Sequence, residues 1–490
     1  MGQGIDTVIV SNRGPVSFVK TESGFETRRG AGGLAGALDP VARELGDRGA
    51  WIAAATSSDD REAIAAGATK GLSDQLGYAV HLLDIDPARY AQYYDVVSNR
   101  MLWFANHCLW EELGIDSFGP REVAAFDDAY EPVNQQFADA IRDVTDPSSL
   151  VLLQDYHLAT VAGHLRKERP DQTIFHFTHS SFCGKNGLGR LPRPIPRKVI
   201  EGMLGADLLG FHVAAWVEGF LECCDAIGAT VAEDDWAIDH DGRRTWVREY
   251  PIPVDADELL ERASGPAAQS WAITLLGAAR GPLVVRADRT EPSKNIVRGF
   301  EAWGSLLDRR PDLATSARFI ACLYPSRQSM PEYRNETEDI KAVVDRVNER
   351  HPGSIQLYLQ DDFDRTLGAL MVYDVLLVNP LMDGMNLVSK EGPVVNREDG
   401  VLVLSTGAGS FEEMGEAAIA IDDARDVEQT ARALETALDL PDAERRRRAD
   451  SLRALARGKK PSDWINAQID DLKEIRKGNP PRSQPLLPRQ

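Results

Sequence analysis

Cysteine is scarce, with five in 490 residues (Cys108, Cys183, Cys223, Cys224 and Cys322), and none stands at metal-ligand spacing. The adjacent Cys223 and Cys224 suit neither a relaxed disulfide nor a zinc knuckle. All five read as reduced core residues of a cytosolic protein, and no metal is expected. Positive charge is also short. Fifty-five Lys and Arg against 76 Asp and Glu leave a net charge of −21, which excludes a general nucleic-acid binder because phosphate neutralisation needs a basic face. An anionic ligand must therefore meet a local cluster of Arg and Lys. No apolar run is long enough to span a membrane. The opening MGQGIDTVIVSNRG lacks a basic region followed by an apolar core, so no signal peptide is expected. Position 6 is Asp where a myristoylation signal carries Ser or Thr. A cytoplasmic location follows, with neither a membrane nor a nucleic-acid partner. Solenoid repeats and a GxGxxG fingerprint are absent as well.

What is present is an alternation. Short β-branched runs (TVIVSN, GAWIAA, SLVLLQDY, TIFHFTH, DLLGFH, GPLVVRAD, ARFIACLYP, SIQLYLQ, DVLLVNP, GVLVLST) read as buried parallel strands. Helical runs such as LATVAGHLRKE and EDIKAVVDRVNER lie between several of them. The class is α/β with parallel sheets, and the length exceeds one hydrophobic core. Prolines in REYPIPVDADELLERA place a boundary near residue 255, giving doubly wound domains over 1–255 and 256–460. Ligands of open α/β sheets bind beyond the carboxyl ends of strands, so two such domains facing each other would share one cleft. DAERRRRADSLRALARGKK reads as a helix with a solvated charged face. PSDWINAQIDDLKEIRK is one more amphipathic helix, expected over about 461–476 and able to pack back on the first domain. The Pro-rich 477–490 reads as a disordered tail.

Several stretches carry candidate chemistry. RRGAGGLAGAL is glycine-rich before a helix and reads either as a phosphate cradle or as a flexible loop. Arg13, at a strand end, is either a phosphate ligand or a surface Arg. Asp155, Tyr156 and His157 follow one strand directly and His179 ends the next, as a substrate pocket requires. A lone His beside an apolar strand is more often a satisfied core residue, but two polar clusters on neighbouring strands shift the balance toward function. In RADRTEPSKN, Arg289 and Lys294 can converge on a diphosphate as fork and point charge. Arg327 follows a further strand.

LMDGMNLVSKEG is the richest stretch. If a helix begins near Asn386, the amides of Met385 to Val388 point out of its N-terminus and make an anion site. A carboxylate would repel phosphate, so Asp383 suits sugar hydroxyls, and Glu391, one turn deeper, suits ribose. Pro393 clashes with the carbonyl of Ser389, so this helix should be kinked or short.

Taken together, VSNR, AGGL, YYDVVSNRMLW, QDYHL, the TH at His179, DRTEPSK, PSR and DGMNLVSKEG, in this order from about residue 7 to about residue 410, resemble the trehalose-6-phosphate synthase family of retaining glycosyltransferases. The resemblance implies a GT-B fold, with two Rossmann-like doubly wound domains facing across a cleft. It implies glucose transfer from a nucleoside-diphosphate glucose to glucose 6-phosphate, with no cofactor because the nucleotide sugar is a substrate. The N-terminal domain would bind the acceptor and the C-terminal domain the nucleotide sugar. Arg13, Tyr94 and Arg327 would hold the acceptor phosphate, Trp103 would wall the pocket, and Asp155 would bond acceptor hydroxyls. Gly33 would approach the donor diphosphate, and Arg289 and Lys294 would neutralise it. His179 and Asp383 would contact the donor glucose, and Glu391 the ribose. The backbone of Gly384, Met385, Asn386, Leu387 and Val388 would meet the diphosphate. His179, Asp155, Arg289 and Lys294 form the expected catalytic set. Retention would come from same-face attack, the leaving diphosphate helping to deprotonate the acceptor hydroxyl.

The chain departs from the family at HSSFC, at Met382 and at Ala54, all around the sugars. In LQDDFDRTLG, Asp361 or Asp362 can accept the paired N–H groups of guanine, with Phe363 packing on the base and Thr366 nearby. The expected donor is GDP-glucose over UDP-glucose. Two alternatives share the fold: a validamycin-type pseudo-glycosyltransferase joining a cyclitol nucleotide to an aminocyclitol phosphate, and a non-catalytic sugar-phosphate sensor. Homo-oligomerisation is left open.

Overall fold

The computed structural model describes residues 5–29, 33–232 and 236–484. The chain divides into two compact units, one running to Pro251 and resuming at Pro461, the other Ile252–Lys460. The break at Pro251 lies within the proline-marked segment.

The first unit is built on a nine-stranded sheet. Its strands are β1 (Thr7–Ser11), β4 (Gly49–Ala54), β5 (Ala79–Leu83), β6 (Leu150–Gln154), β7 (Thr173–Phe177), β8 (Leu208–Phe211), β9 (Thr230–Ala232), β10 (Ala237–His240) and β11 (Arg243–Glu249). The order is β5-β4-β1-β6-β7-β8-β11-β10-β9. The strands are parallel from β5 to β11, and β10 and β9 pair antiparallel at the far edge. The central strands β1, β4, β6, β7 and β8 are buried along their whole length, as a sheet covered on both faces demands. From β1 the chain winds outward to β5, then returns to β6 and winds the other way, so the switch point lies between β1 and β6. Their register aligns Ser11 with Gln154, and Gln154 with Phe177 on β7. The residues that follow these three strands therefore emerge side by side.

A separate hairpin of β2 (Val16–Thr21) and β3 (Gly24–Arg29) follows β1. The helix Pro461–Arg476 belongs to this unit. Trp464 Nε1 donates to the carbonyl of Tyr250, and the Tyr250 hydroxyl donates to Asp471. Of the segment expected to be disordered, Arg482 and Ser483 are held by their amides on Asp471; residues 485–490 lie outside the described residues.

The second unit has a six-stranded parallel sheet of β12 (Leu283–Thr290), β13 (Arg318–Pro325), β14 (Ile355–Leu359), β15 (Val375–Val378), β16 (Val401–Ser405) and β17 (Ile419–Ile421), in the order β14-β13-β12-β15-β16-β17. Its switch point lies between β12 and β15. These two pair only at Val284–Val375 and Val285–Leu376, so the end of β12 projects beyond its neighbour. Between β12 and β13, Arg289 faces Tyr324 and Thr290 faces Pro325. Leu323 on β13 faces Leu359 on β14.

Candidate functional site

In the first unit, Arg13, Tyr94, Trp103 and Asp155 of the expected acceptor set gather near the β1–β6 switch point, whereas Arg327 belongs to the second unit. Arg13 Nη2 donates to the Tyr94 hydroxyl at 3.1 Å across 81 positions of sequence. Tyr94 stacks on His157 with ring centroids 5.7 Å apart, and His157 stacks on Tyr156 at 4.1 Å. Tyr156 in turn meets Trp103 at 5.6 Å, and Trp103 packs on His107. Trp103 is buried, as a pocket wall would be. Asp155 Oδ1 accepts the amides of Tyr156 and His179, which ties the ends of β6 and β7 together. The sequence did not reveal that His157 links Tyr94 to Tyr156; a His directly after Tyr in QDYHL is the signal that was there to read.

His179 Nε2 lies 3.0 Å from Gln154 Oε1. An amide oxygen can only accept, so Nε2 carries the proton. Burial, with His212 and His176 nearby, holds the His179 pKa well below its ordinary value. The ring is neutral near pH 7. Gly33 opens the helix Gly33–Leu45; Gly30, Ala31 and Gly32 of the glycine-rich loop lie outside the described residues.

In the second unit, Lys294 Nζ sits 2.5 Å from Asp383 Oδ2, which also accepts from Asn386 Nδ2. Burial pushes the Lys294 ammonium down, but Asp383, Asp288 and Glu291 outweigh it and leave its pKa raised. Beneath it, the fully buried Arg286 is held by Asp288 and donates to the Lys294 carbonyl. Arg289 reaches Glu291 at 2.7 Å, and Arg327 reaches the other oxygen of the same carboxylate at 3.3 Å. In DRTEPSK the cations carry the sequence signal, and Glu291 between them carries none until the β12–β13 register sets it beside Arg327.

The helix of LMDGMNLVSKEG runs Val388–Val395, short as Pro393 requires. It starts two residues after Asn386. Asn386 has φ 71°, and its side-chain oxygen accepts the Ser389 amide. Among the described residues no acceptor is assigned to the amides of Met385, Asn386, Leu387 or Val388. Glu391 is only partly accessible, and burial pushes its carboxyl up to about 7. Asp155, Asn295 and Arg327 share with Asn386 a φ in the left-handed region. Such strain at about 1–3 kcal/mol per residue persists where the surroundings over-determine it, and it collects at functional sites.

The loop after β14 separates two carboxylates. Asp362 caps its helix by accepting the Arg365 amide, whereas Asp361 is exposed. One face of Phe363 carries the Arg262 guanidinium at 4.1 Å, and the Thr366 hydroxyl donates to the Asp362 carbonyl. Around the sugars, the departing residues have local partners. Asn106 Nδ2 donates to Ser180, and the Ser181 hydroxyl donates to the Asn106 carbonyl. Ala54 is the buried last residue of β4, and Met382 is half-buried.

Residues 5–474 match glycosyltransferase family 20. A trehalose-6-phosphate synthase of Mycobacterium sp. (strain KMS) is 32% identical over 97% of this chain and 96% of its own. Among solved structures, an alpha,alpha-trehalose-phosphate synthase (UDP-forming) from Burkholderia vietnamiensis superposes with TM-score 0.80 at 26% identity, covering 97% of this chain and 99% of that one. A second UDP-forming enzyme, from Burkholderia xenovorans in complex with glucose 6-phosphate, gives 0.78 at 26% identity over 95% and 99%. Two doubly wound sheets, parallel but for one edge of the first, and a match along nearly the whole length lead to one conclusion: the chain belongs to glycosyltransferase family 20 and is a retaining glycosyltransferase of the GT-B fold.

Proposed function

We propose that this enzyme is an α,α-trehalose-6-phosphate synthase, transferring glucose from a nucleoside-diphosphate glucose to glucose 6-phosphate with retention. The observation that carries this reading is the extent of the family match: residues 5–474 contain every assigned residue from Arg13 to Glu391, and the relatives named above act as trehalose-6-phosphate synthases by name. Arg13 and Tyr94 serve the acceptor phosphate, with Arg327 assigned to the same group. Asp155 accepts acceptor hydroxyl hydrogens and Trp103 walls the sugar. Arg289, Lys294 and the amides of Met385 to Val388 stabilise charge on the departing diphosphate. His179 and Asp383 orient the transferred glucose, and Glu391 the ribose. No protein nucleophile is needed. Positioning and charge stabilisation on the leaving group lower the barrier, and the leaving phosphate takes the proton of the attacking hydroxyl as it bonds to the anomeric carbon.

For the donor base, GDP-glucose is favoured. Guanine presents N1–H and its exocyclic amine side by side, and Asp361 is the exposed carboxylate of the pair, since Asp362 is spent on capping. The solved relatives are named UDP-forming, so the base is tested directly. Initial rates with GDP-glucose and UDP-glucose, each offered glucose 6-phosphate, are expected to favour GDP-glucose in kcat/KM. Equal values or a UDP preference would remove the base assignment and leave the transfer reading intact. Tight glucose 6-phosphate binding without turnover on either donor would favour a sensor, and turnover only with cyclitol substrates a pseudo-glycosyltransferase.

A further inference from the structure

Arg289 and Arg327 are assigned to phosphates of different substrates, yet one buried carboxylate joins them. Glu291 follows β12 and Arg327 follows β13, and the Thr290–Pro325 register brings those strand ends together. The Glu291 side chain has no exposed surface, while that of Arg289 is 35% exposed and that of Arg327 9%. The buried Tyr333 hydroxyl is 2.5 Å from the Arg327 Nη1 that also faces Glu291. Without Glu291 the two guanidiniums would confront each other, and the charge of Arg327 already works against that of Arg289. A buried carboxylate is a poor choice for stability alone, because its desolvation is costly where an apolar residue would pack. Its two partners, both partly open to solvent, give it another use.

We propose that Glu291 is a positioning residue shared by the two phosphate-binding arginines: it fixes Arg289 for the donor diphosphate and Arg327 for the acceptor phosphate, so affinity for both substrates depends on this one carboxylate. Glu291 touches neither substrate. The inference rests on the assignment of Arg289 and Arg327 under the proposed function.

Calorimetric titration of the full chain with GDP, UDP and glucose 6-phosphate tests it, with guanosine and uridine as controls that lack phosphate. In Glu291→Gln, both the preferred nucleoside diphosphate and glucose 6-phosphate are expected to bind at least fivefold more weakly, while the matching nucleoside stays within twofold. Glu291→Asp keeps the charge but retracts it by one methylene, and is expected to weaken both by at least threefold; it carries the test if the Gln variant does not fold. A change in one ligand only, in neither, or equally in the nucleoside overturns the proposal. Arg289→Ala and Arg327→Ala separate the two levels. If each weakens its own ligand while the Glu291 variants do not weaken both, the arginine assignments stand and the role of Glu291 falls. If Arg327→Ala leaves glucose 6-phosphate binding unchanged, or Arg289→Ala leaves nucleotide binding unchanged, the assignment itself falls.

Discussion

Lys294 and Asp383 form an ion pair of 2.5 Å between side chains that are 12% and 16% exposed, at the switch point where β12 parts from β15. The sequence assigned these residues separately, one to diphosphate and one to glucose. The pair explains how a largely buried lysine keeps its charge: burial alone would lower its pKa, and the neighbouring carboxylates reverse that. Lys294→Met strands a buried carboxylate and should cost about 3 kcal/mol of stability. It should also lower kcat/KM by roughly 10²- to 10³-fold through lost leaving-group stabilisation. Adding Asp383→Asn should restore part of the stability and none of the activity. Strictly additive losses in denaturant unfolding would contradict the coupling.

Under the proposed function, Glu391 makes donor binding sensitive to pH. Burial raises its carboxyl from 4.5 to about 7. A folded-state pKa above the unfolded one means that its burial costs nothing below about 4.5. The cost grows as pH rises and is complete above about 7. Glu391→Gln should therefore flatten the fall in stability over that window. Binding runs the opposite way: in the proposed role an ionised Glu391 accepts ribose hydroxyls, so nucleotide affinity should weaken as pH drops below about 7 in the parent and much less in the Gln variant. Parallel titration curves for the two proteins would refute this role.

Tyr94 links Arg13 to the aromatic stack over His157. Tyr94→Phe removes one hydroxyl and leaves the stack. The expected effect is a rise in the glucose 6-phosphate KM of about 3- to 10-fold, worth about 1 kcal/mol, with kcat and the donor KM little changed. A fall in kcat at constant KM would place Tyr94 in the chemical step instead.

The adjacent carboxylates after β14 should behave differently. Asp362→Ala loses a helix cap and should cost about 1 kcal/mol of stability with the donor ratio unchanged. Asp361→Ala should cost little stability and reduce the GDP-glucose over UDP-glucose ratio. An unchanged ratio would remove Asp361 from base recognition.

Much of this was legible in sequence because parallel strands buried on both faces are continuous apolar runs. All ten strands expected from such runs are present, from β1 to β16. Those missed had weaker signals. β3 is largely exposed, β2 buries only Val16 and Phe18, β5 is an edge strand, and Arg and Thr interrupt β11. The candidate site residues were chosen at strand ends, where ligands of such sheets gather and which pattern locates. What pattern could not supply was pairing across elements. Glu291 looks like any loop acid until register sets it beside Arg327, and His157 joins Tyr94 to Tyr156 only once a helix carries Tyr94 to the end of β6. The helix Val388–Val395 begins two residues later than Asn386 suggests, because Asn386 turns in the left-handed region and caps Ser389 through its side chain.

The most direct test of the central claim is the structure of the product. Purified enzyme is supplied with a nucleoside-diphosphate glucose and anomerically labelled glucose 6-phosphate, and the product is characterised by NMR. The expected product is a non-reducing disaccharide phosphate joined 1,1 with both anomeric centres α, released with one equivalent of nucleoside diphosphate. A reducing disaccharide, a β-configured donor residue, or no disaccharide with either GDP-glucose or UDP-glucose would contradict it.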